Sequence, residues 1–460
     1  MWVKFVVEPL FSNLNFKKIM KKINIIKNPY LLFSPFLLTF IIYIITFSPT
    51  DITGGDTARY LLYAHNLIQG FFSPPAPNIW LINGPGYPII IVPFLMLKLP
   101  LISIALMNAF FYYFSIILLF KALKELVSFP LTLTFSMAWA CYCIAYQSLP
   151  YILTETFTYL LVTLMIYTIV KAFNHENQGI VNKYVILTGI IFGYIVLTKM
   201  IFGYVLMFMI AWCFLLWIIN RTNINYRKGL IISVIAVITT APYLIYTHNL
   251  TGRIFYWGMG SDSMYWMTTP YDAEYGDWNV GLNQNPLVSA NYNIPGADST
   301  LRAHHQEDFN EFYKYNGIDR DDAFKRLAFR NIKTHPLKYA QNIVYNMGRL
   351  VFHYPFSQAI QKPRTLLVLP INGILLTLMI FSLVPTILNW RKFPMPLKFL
   401  LIIAFLYLGA STLATALVRM FTIIVPVLLI WIAYVLQNTM KINLKFKEKS
   451  KPLDDNGLEE

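Results

Sequence analysis

Apolar runs long enough to cross a bilayer divide this sequence, and they fix its fold class before any motif is read. A hydrocarbon core takes about 20 residues of apolar helix, within a range of about 17–25. Ten stretches reach or approach that length: 30–47, 101–120, 129–147, 152–171, 184–199, 200–219, 229–247, 366–388, 397–413 and 418–437. The run 184–219 is too long for one span, and Lys199 near its middle marks the turn between two. Charged residues make up 13% of the chain, about half the roughly 25% of a soluble domain. The expected fold is an all-α polytopic membrane protein of about 10 transmembrane helices, because a helix satisfies its own backbone inside lipid.

The formal net charge of +15 does not point to nucleic acid, because the basic residues sit in short clusters between apolar runs. Lys17, Lys18, Lys21, Lys22 and Lys27 precede the first run. Lys121 and Lys124 follow the second, Lys171 and Lys183 flank the fourth and fifth, and Arg221, Arg227 and Lys228 follow the sixth. Arg391, Lys392 and Lys398 follow the eighth, and a lysine-rich tail follows the last. With ten spans and both termini cytoplasmic, every cluster falls on one side, as the positive-inside rule requires. The first run reads as an uncleaved span, since no small-residue cleavage site follows it. Cys141, Cys143 and Cys213 lie within apolar runs and form neither a disulfide framework nor a metal spacing.

This topology divides the chain into four parts. Residues 1–247 form an N-terminal transmembrane module whose first outer loop is 48–100. Residues 248–365 form an extracytoplasmic loop region, 366–440 the C-terminal transmembrane helices, and 441–460 a cytoplasmic basic tail. The apolar stretch 87–99 is short and carries Pro88 and Pro93. Counting it as a span would invert every later loop, so it is expected to lie at the outer interface. The Trp and Tyr clusters around 256–278, among them Tyr265-Trp266 and Tyr271 to Trp278, read as an interfacial aromatic belt or, less readily, as a sugar platform. His248, His304, His305, His335 and His353 match no zinc spacing, and no metal is expected on any one of them.

Several costly residues converge on the outer face. Asp51, Asp56 and Arg59 follow the first span. Glu155 sits at the outer end of the fourth, Lys199 at the turn after the fifth, and Arg419 at the start of the last. Ionisable groups at a membrane boundary usually face a cavity or a site. Here they suit a lipid-linked phosphate, whose tail lies in the bilayer and whose head lies at the interface. Arg and Lys bind phosphate, one carboxylate takes a proton from an attacking hydroxyl, and a second holds a divalent metal ion or positions the acceptor. Each residue also has a plainer reading: Asp51 as a helix cap, Arg59 as the partner of a carboxylate one turn away, Glu155 as part of a tight turn, and Lys199 and Arg419 as headgroup anchors.

The run Asp51…Gly55-Asp56-Thr-Ala-Arg59-Tyr60, with Gly84-Pro-Gly-Tyr87-Pro88, resembles the first outer loop of GT-C glycosyltransferases. The nearest branch is the bacterial one related to protein O-mannosyltransferases and the lipid A aminoarabinose transferase. Leu153-Thr-Glu155, Leu197-Thr-Lys199, His335-Pro336 and Arg419 with Pro426 follow in the family's order. Where that branch carries charged residues before its proline element, this chain reads Leu81-Ile-Asn83-Gly84.

The resemblance implies an enzyme of the cell membrane that moves a sugar from a polyprenyl-phosphate donor to a glycan, lipid or protein acceptor outside. Asp56 would be its catalytic base, with Asp51 as runner-up and Glu155 orienting the acceptor. Arg419, Lys199 and Arg59 would bind the donor phosphate, and Tyr60 and Tyr87 would position the loop or acceptor. A divalent metal ion, with Asp56 and Glu155 as its candidate ligands, is optional in this scheme. The rival readings are a polysaccharide polymerase or ligase, which would place its arginines and histidines in the large loop, and a lipid-linked oligosaccharide flippase or other transporter, which would line mid-bundle with charge.

Overall fold

The computed structural model of the 460-residue chain describes residues 28–49, 55–174, 179–255, 257–258, 260–278, 295–357 and 363–438. All regular structure among these is helical, and the chain is a multi-pass membrane protein. In chain order the principal helices are α1 (Ser34–Phe47), α2 (Gly55–Ile68), α3 (Gly86–Met96), α4 (Ile102–Lys124), α5 (Phe129–Ala140), α6 (Thr154–Phe173), α7 (Lys183–Thr198) and α8 (Phe202–Ile219). They continue as α9 (Ile224–Thr251), α10 (Gly260–Met267), α11 (Ala297–Phe312), α12 (Gly317–Thr334), α13 (Pro336–Phe352), α14 (Arg364–Leu388), α15 (Met395–Leu413) and α16 (Val418–Asn438).

Eight of the described helices are long and apolar enough to cross a membrane, counting α5 with the short helix that continues it to Tyr146. With the shorter α1 and α7 they account for the ten apolar runs, and α3 is the 11-residue helix of the short proline-bearing stretch. Local chemistry sets the breaks. Asn182 caps α7 by accepting from the amides of Tyr184 and Val185, each at 3.0 Å. Asn223 does the same for α9, from Asn225 at 2.9 Å. Gly252, at φ +70°, ends α9 in the left-handed conformation that glycine takes without penalty.

Ion pairs and capping contacts sort the helix termini into two ends. At one end Lys171 of α6 meets Glu125 beyond α4 at 2.7 Å, and Lys228 of α9 donates to the carbonyl of Ala172 at 2.8 Å. Gln437 of α16 accepts there from the Ser128 amide before α5, at 2.5 Å. This end carries Lys121, Lys124, Lys183, Arg221, Arg227, Arg391 and Lys392. At the other end lie the starts of α2, α6, α8 and α16 and the ends of α7 and α15. The terminal lysine clusters and Asp51 fall outside the described residues.

The centre of the bundle is α6 and α16, whose apolar windows are 72% and 78% buried, whereas α14 at 22% is peripheral. Polar locks register α6. Asn108 of α4 donates to the carbonyls of Leu149 and Tyr151 and accepts from Thr156 at 2.6 Å. Tyr159 bonds Thr422 of α16 at 2.7 Å. Buried polar groups in lipid need such partners, and these fix the depth of Glu155 in the first turn of α6.

Helices α10 to α13 build a second layer over the site end, with its own core of Tyr265, Trp266, Trp278, Phe309, Phe312 and Phe324. Of the aromatic residues expected as a belt or sugar platform, Tyr265, Trp266 and Trp278 therefore belong to a packed interior, Tyr265 and Trp266 at 1% exposure each, while Tyr271 and Tyr275 are half-buried. Helix α13 is amphipathic in an inverted sense. Lys338, Asn342, Asn346 and Arg349 face inward, while Leu337, Val344 and Met347 are exposed, as suits a helix lying along the membrane surface.

Candidate functional site

Five of the sequence-selected side chains meet at the end of the bundle. Asp56 is the second residue of α2 and Glu155 the second of α6, so both carboxylates sit at positive helix ends. Lys199 caps the C-terminus of α7, where a cation is favoured. Arg419 is the second residue of α16, at the end where the helix dipole disfavours a cation. The two carboxylates offset that cost.

The pairing is specific. Arg59 donates to Asp56 Oδ1. Arg419 approaches Asp56 Oδ2 at 2.7 Å through one terminal nitrogen and Glu155 Oε1 at 3.8 Å through Nε. Lys199 Nζ donates to Glu155 Oε1 at 2.8 Å. Glu155 is 1% exposed, and its second oxygen is buried without a hydrogen-bond partner among the described residues. Burial pushes the Asp56 carboxyl up, but the Arg419 and Arg59 guanidiniums outweigh it and hold the group below its ordinary value.

The first-loop motif acquires a physical reason. A Cβ on Gly84 would overlap the Leu197 carbonyl, and one on Gly86 would sit 2.5 Å from Thr198 Oγ1. The two glycines let residues 84–86 lie against the end of α7, directly beside Lys199. Tyr194 of α7 donates to the Gly86 carbonyl at 2.9 Å. Tyr60 is buried, accepts from Asn83 at 3.2 Å, and packs edge-on against Tyr87 with ring centres 5.4 Å apart. Burial and the Asp56 carboxylate push the Tyr60 phenol up, so it stays protonated. Tyr87 is fully buried against Tyr60, behind the site and not on its surface.

A cavity of about 110 Å³ opens onto this cluster, lined by Asp56, Arg59, Tyr60, Lys199, Arg419 and the aromatic pair Trp257 and Tyr407, among others. A larger one, about 530 Å³, adjoins it at Ile201, Trp257 and Ala414, with Asp321, Asp322, Arg253 and Lys325 around it. Trp257 belongs to the aromatic stretch 256–278, read in sequence as a belt or a sugar platform, whereas Tyr407 carried no signal that set it apart from other membrane aromatics. The indole of Trp257 donates to the Ile82 carbonyl at 2.9 Å, which ties the outer layer to the first loop.

A divalent ion between Asp56 and Glu155 does not fit these residues. Both Asp56 oxygens already accept from guanidinium groups, and one Glu155 oxygen from an ammonium. Among the described residues, three cations against two carboxylates leave a net positive cluster, which favours an anion. A different group could hold a metal ion: Glu274, His304 and His305, whose ligand atoms all lie within 4.8 Å of one another. No pattern in the sequence marks this triad, because thirty residues separate Glu274 from His304.

No family model matches the sequence, and no curated protein does. Among solved structures, the Archaeoglobus fulgidus oligosaccharyltransferase, tethered through a disulfide to an acceptor peptide containing the NVT sequon, aligns with a TM-score of 0.47 and 13% identity over 88% of this chain and 49% of that one. ArnT from Cupriavidus metallidurans, bound to undecaprenyl phosphate, aligns with a TM-score of 0.38 and 10% identity over 87% of this chain and 77% of that one. The chain thus spans about half the length of the oligosaccharyltransferase.

Proposed function

We propose that the chain is a glycosyltransferase of the GT-C type, which transfers a sugar from a polyprenyl-phosphate donor to an acceptor on the extracytoplasmic side of the cell membrane. One observation carries the reading: Arg419, at the head of a membrane helix, is shared between Asp56 and Glu155 beside a cavity with an excess of positive charge. The donor phosphate would occupy that excess, held by Arg419, Lys199 and Arg59, with the amides of the α16 N-terminus adding to the attraction.

The same contacts supply a sequence of events. Before the donor binds, Asp56 is occupied by two guanidiniums and is a weak base. A phosphate that draws Arg419 and Arg59 toward itself leaves Asp56 with less positive charge beside it, and its proton affinity rises. Asp56 then accepts the proton of an acceptor hydroxyl while that oxygen attacks the anomeric carbon. The bond from that carbon to the phosphate oxygen breaks, and the charge left on the polyprenyl phosphate stays with the three cations. Glu155, anchored by Lys199, sets the position of Arg419. No step draws on a divalent ion at Asp56. A flippase reading loses ground, since the described charges gather at the two ends of the bundle and not along its middle.

The test uses purified chain in proteoliposomes with a panel of polyprenyl-phosphate sugars. Asp56→Asn is expected to lower turnover by about 10²–10⁴ with donor affinity retained. Arg419→Ala is expected to weaken donor binding by on the order of 1.5–3 kcal/mol, with Arg419→Lys rescuing only part because an ammonium lacks the guanidinium fork. Full turnover by Asp56→Asn would sink the base assignment. Mass spectrometry of lipid-linked sugars from cells with and without the protein would name the donor by its accumulation.

A further inference from the structure

Glu274, His304 and His305 lie in the outer layer, apart from the Asp56 cluster, and the proposed transferase chemistry leaves them unused. Glu274 is fully buried, His305 is 2% exposed, and only His304 reaches solvent. His304 and His305 are neighbours on α11, yet both turn to the same carboxylate. His304 does so through its near nitrogen Nδ1, 2.6 Å from Glu274 Oε1, and His305 through its far nitrogen Nε2, 2.9 Å from Oε2.

The surroundings decide which atoms carry protons. The Tyr265 hydroxyl lies 2.7 Å from Asp308 Oδ2 and 2.8 Å from His305 Nδ1. A phenol has one proton, and the carboxylate can only accept it, so the Tyr265 oxygen accepts from His305 Nδ1–H. In the neutral ring that leaves a lone pair on Nε2, aimed at a carboxylate oxygen 2.9 Å away. Two lone pairs do not face each other at that distance unless something positive lies between them. A chain from imidazole to a hydroxyl to a carboxylate, on the side of the ring away from the converging donors, is also the arrangement that orients and strengthens a metal-bound histidine. Two more contacts hold the other donors. Thr269 donates to Glu274 Oε2 at 2.5 Å, and Tyr271 stacks on the His304 ring at 3.8 Å.

We propose that Glu274, His304 and His305 bind a zinc ion. Two imidazoles and one carboxylate are a donor set that zinc takes, with a fourth position left for water. The ion would pin the segment 268–278 to α11. That segment in turn supports α13, because Lys338 donates to the Glu274 carbonyl at 2.7 Å and Asn342 to the carbonyls of Met267 and Thr269. The ion would therefore hold this layer together while keeping one position open to water, and it stands or falls apart from the role of Asp56.

The experiment uses the full-length, untagged chain in detergent. Inductively coupled plasma mass spectrometry after dialysis against zinc-free buffer should find about one zinc per chain, and cobalt(II) added to stripped protein should give the visible absorption of a tetrahedral site. His304→Asn and His305→Asn should each abolish both signals. Tyr265→Phe removes no ligand and should still weaken zinc binding by roughly 10–100-fold, which keeps the test open if the ligand variants fail to fold. A wild-type chain with no zinc and no cobalt spectrum overturns the proposal and leaves a proton as the bridge. So does zinc that persists unchanged in a folded His304→Asn, His305→Asn double variant.

Discussion

A carboxylate with 1% of its surface exposed needs its cation. Glu155 has Lys199 at 2.8 Å, with Arg419 farther off at 3.8 Å. Removing one member of such a pair strands the other charge, whereas replacing both with apolar groups is often neutral. Lys199→Met is therefore expected to destabilise the protein by about 3 kcal/mol, toward the low end of the usual range because Arg419 remains nearby. The double variant Lys199→Met, Glu155→Met should recover that stability without recovering transfer. Thermal unfolding in detergent beside a turnover assay separates the two effects, and a single variant as stable as the double would show that the pair carries no buried charge.

Asp262 of the outer layer behaves in the opposite way. Burial, with the Asp321 carboxylate adding to it, pushes its carboxyl up to about 7 from an ordinary 3.8. The folded state then binds more protons than the unfolded one between these values, so stability is greatest below about pH 4 and falls as pH rises through 7. The shift corresponds to on the order of 4 kcal/mol. Asp262→Asn should flatten the decline between pH 5 and pH 8, and an unchanged slope in that variant would assign the effect elsewhere.

These residues differ in how far the sequence revealed them. Asp56, Glu155, Lys199 and Arg419 stand out in sequence because each is a charge at the edge of an apolar run, although a turn or a headgroup anchor would explain Glu155, Lys199 or Arg419 taken singly. That they pair with one another was not legible: Arg419 has no carboxylate within reach along the chain, and its partners lie on α2 and α6. The zinc candidates were illegible for the same reason, since a carboxylate thirty residues from a His-His pair acquires meaning only when a loop folds back. Tyr265 and Trp266 misled because the interior of a small helical layer and a membrane belt draw on the same residues.

At the level of elements, two connections position the site. The first is the passage of Asn83-Gly84-Pro85-Gly86 over the end of α7. Sequence reading placed this segment in the outer loop, and the folded chain adds what the glycines are for. Gly84→Ala would drive a methyl into the Leu197 carbonyl, a strain of about 1–3 kcal/mol for an overpacked site. The relief is a shift of the loop away from α7, and Lys199 would lose its place beside Glu155. Transfer is expected to fall by tenfold or more while the membrane fold persists, measured as turnover per correctly folded protein. Normal turnover would show that the loop gives way without disturbing Lys199.

The second connection is α13, whose buried polar stripe joins the outer layer to the last membrane helix. Asn346 donates to the Thr412 carbonyl at 3.0 Å and accepts from the Ala416 amide at 3.1 Å, three residues before Arg419. The exposed face of Leu337, Val344 and Met347 suits a helix lying along the membrane surface. The inward asparagines do their work through backbone atoms of other segments, which no periodicity encodes.

On the scale of the whole molecule, the two ends of the bundle differ in charge for different reasons. At one end, lysines and arginines occupy short connections between spans, where the positive-inside rule operates. At the other, the first loop and the layer α10 to α13 carry paired acids and bases, and a segment as long as 248–365 crosses the membrane largely regardless of charge. The basic end should therefore face the cytoplasm and the Asp56 end the exterior. In a cysteine-free background, Asn220→Cys marks the basic end, one residue past α8, and Ser299→Cys marks the outer layer; both positions are exposed. A membrane-impermeant maleimide applied to intact cells is expected to label Ser299→Cys and to reach Asn220→Cys only after permeabilisation. The reverse pattern would put the Asp56 cluster on the cytoplasmic side, and the donor, which must present its phosphate to Arg419, would have to be used on that face.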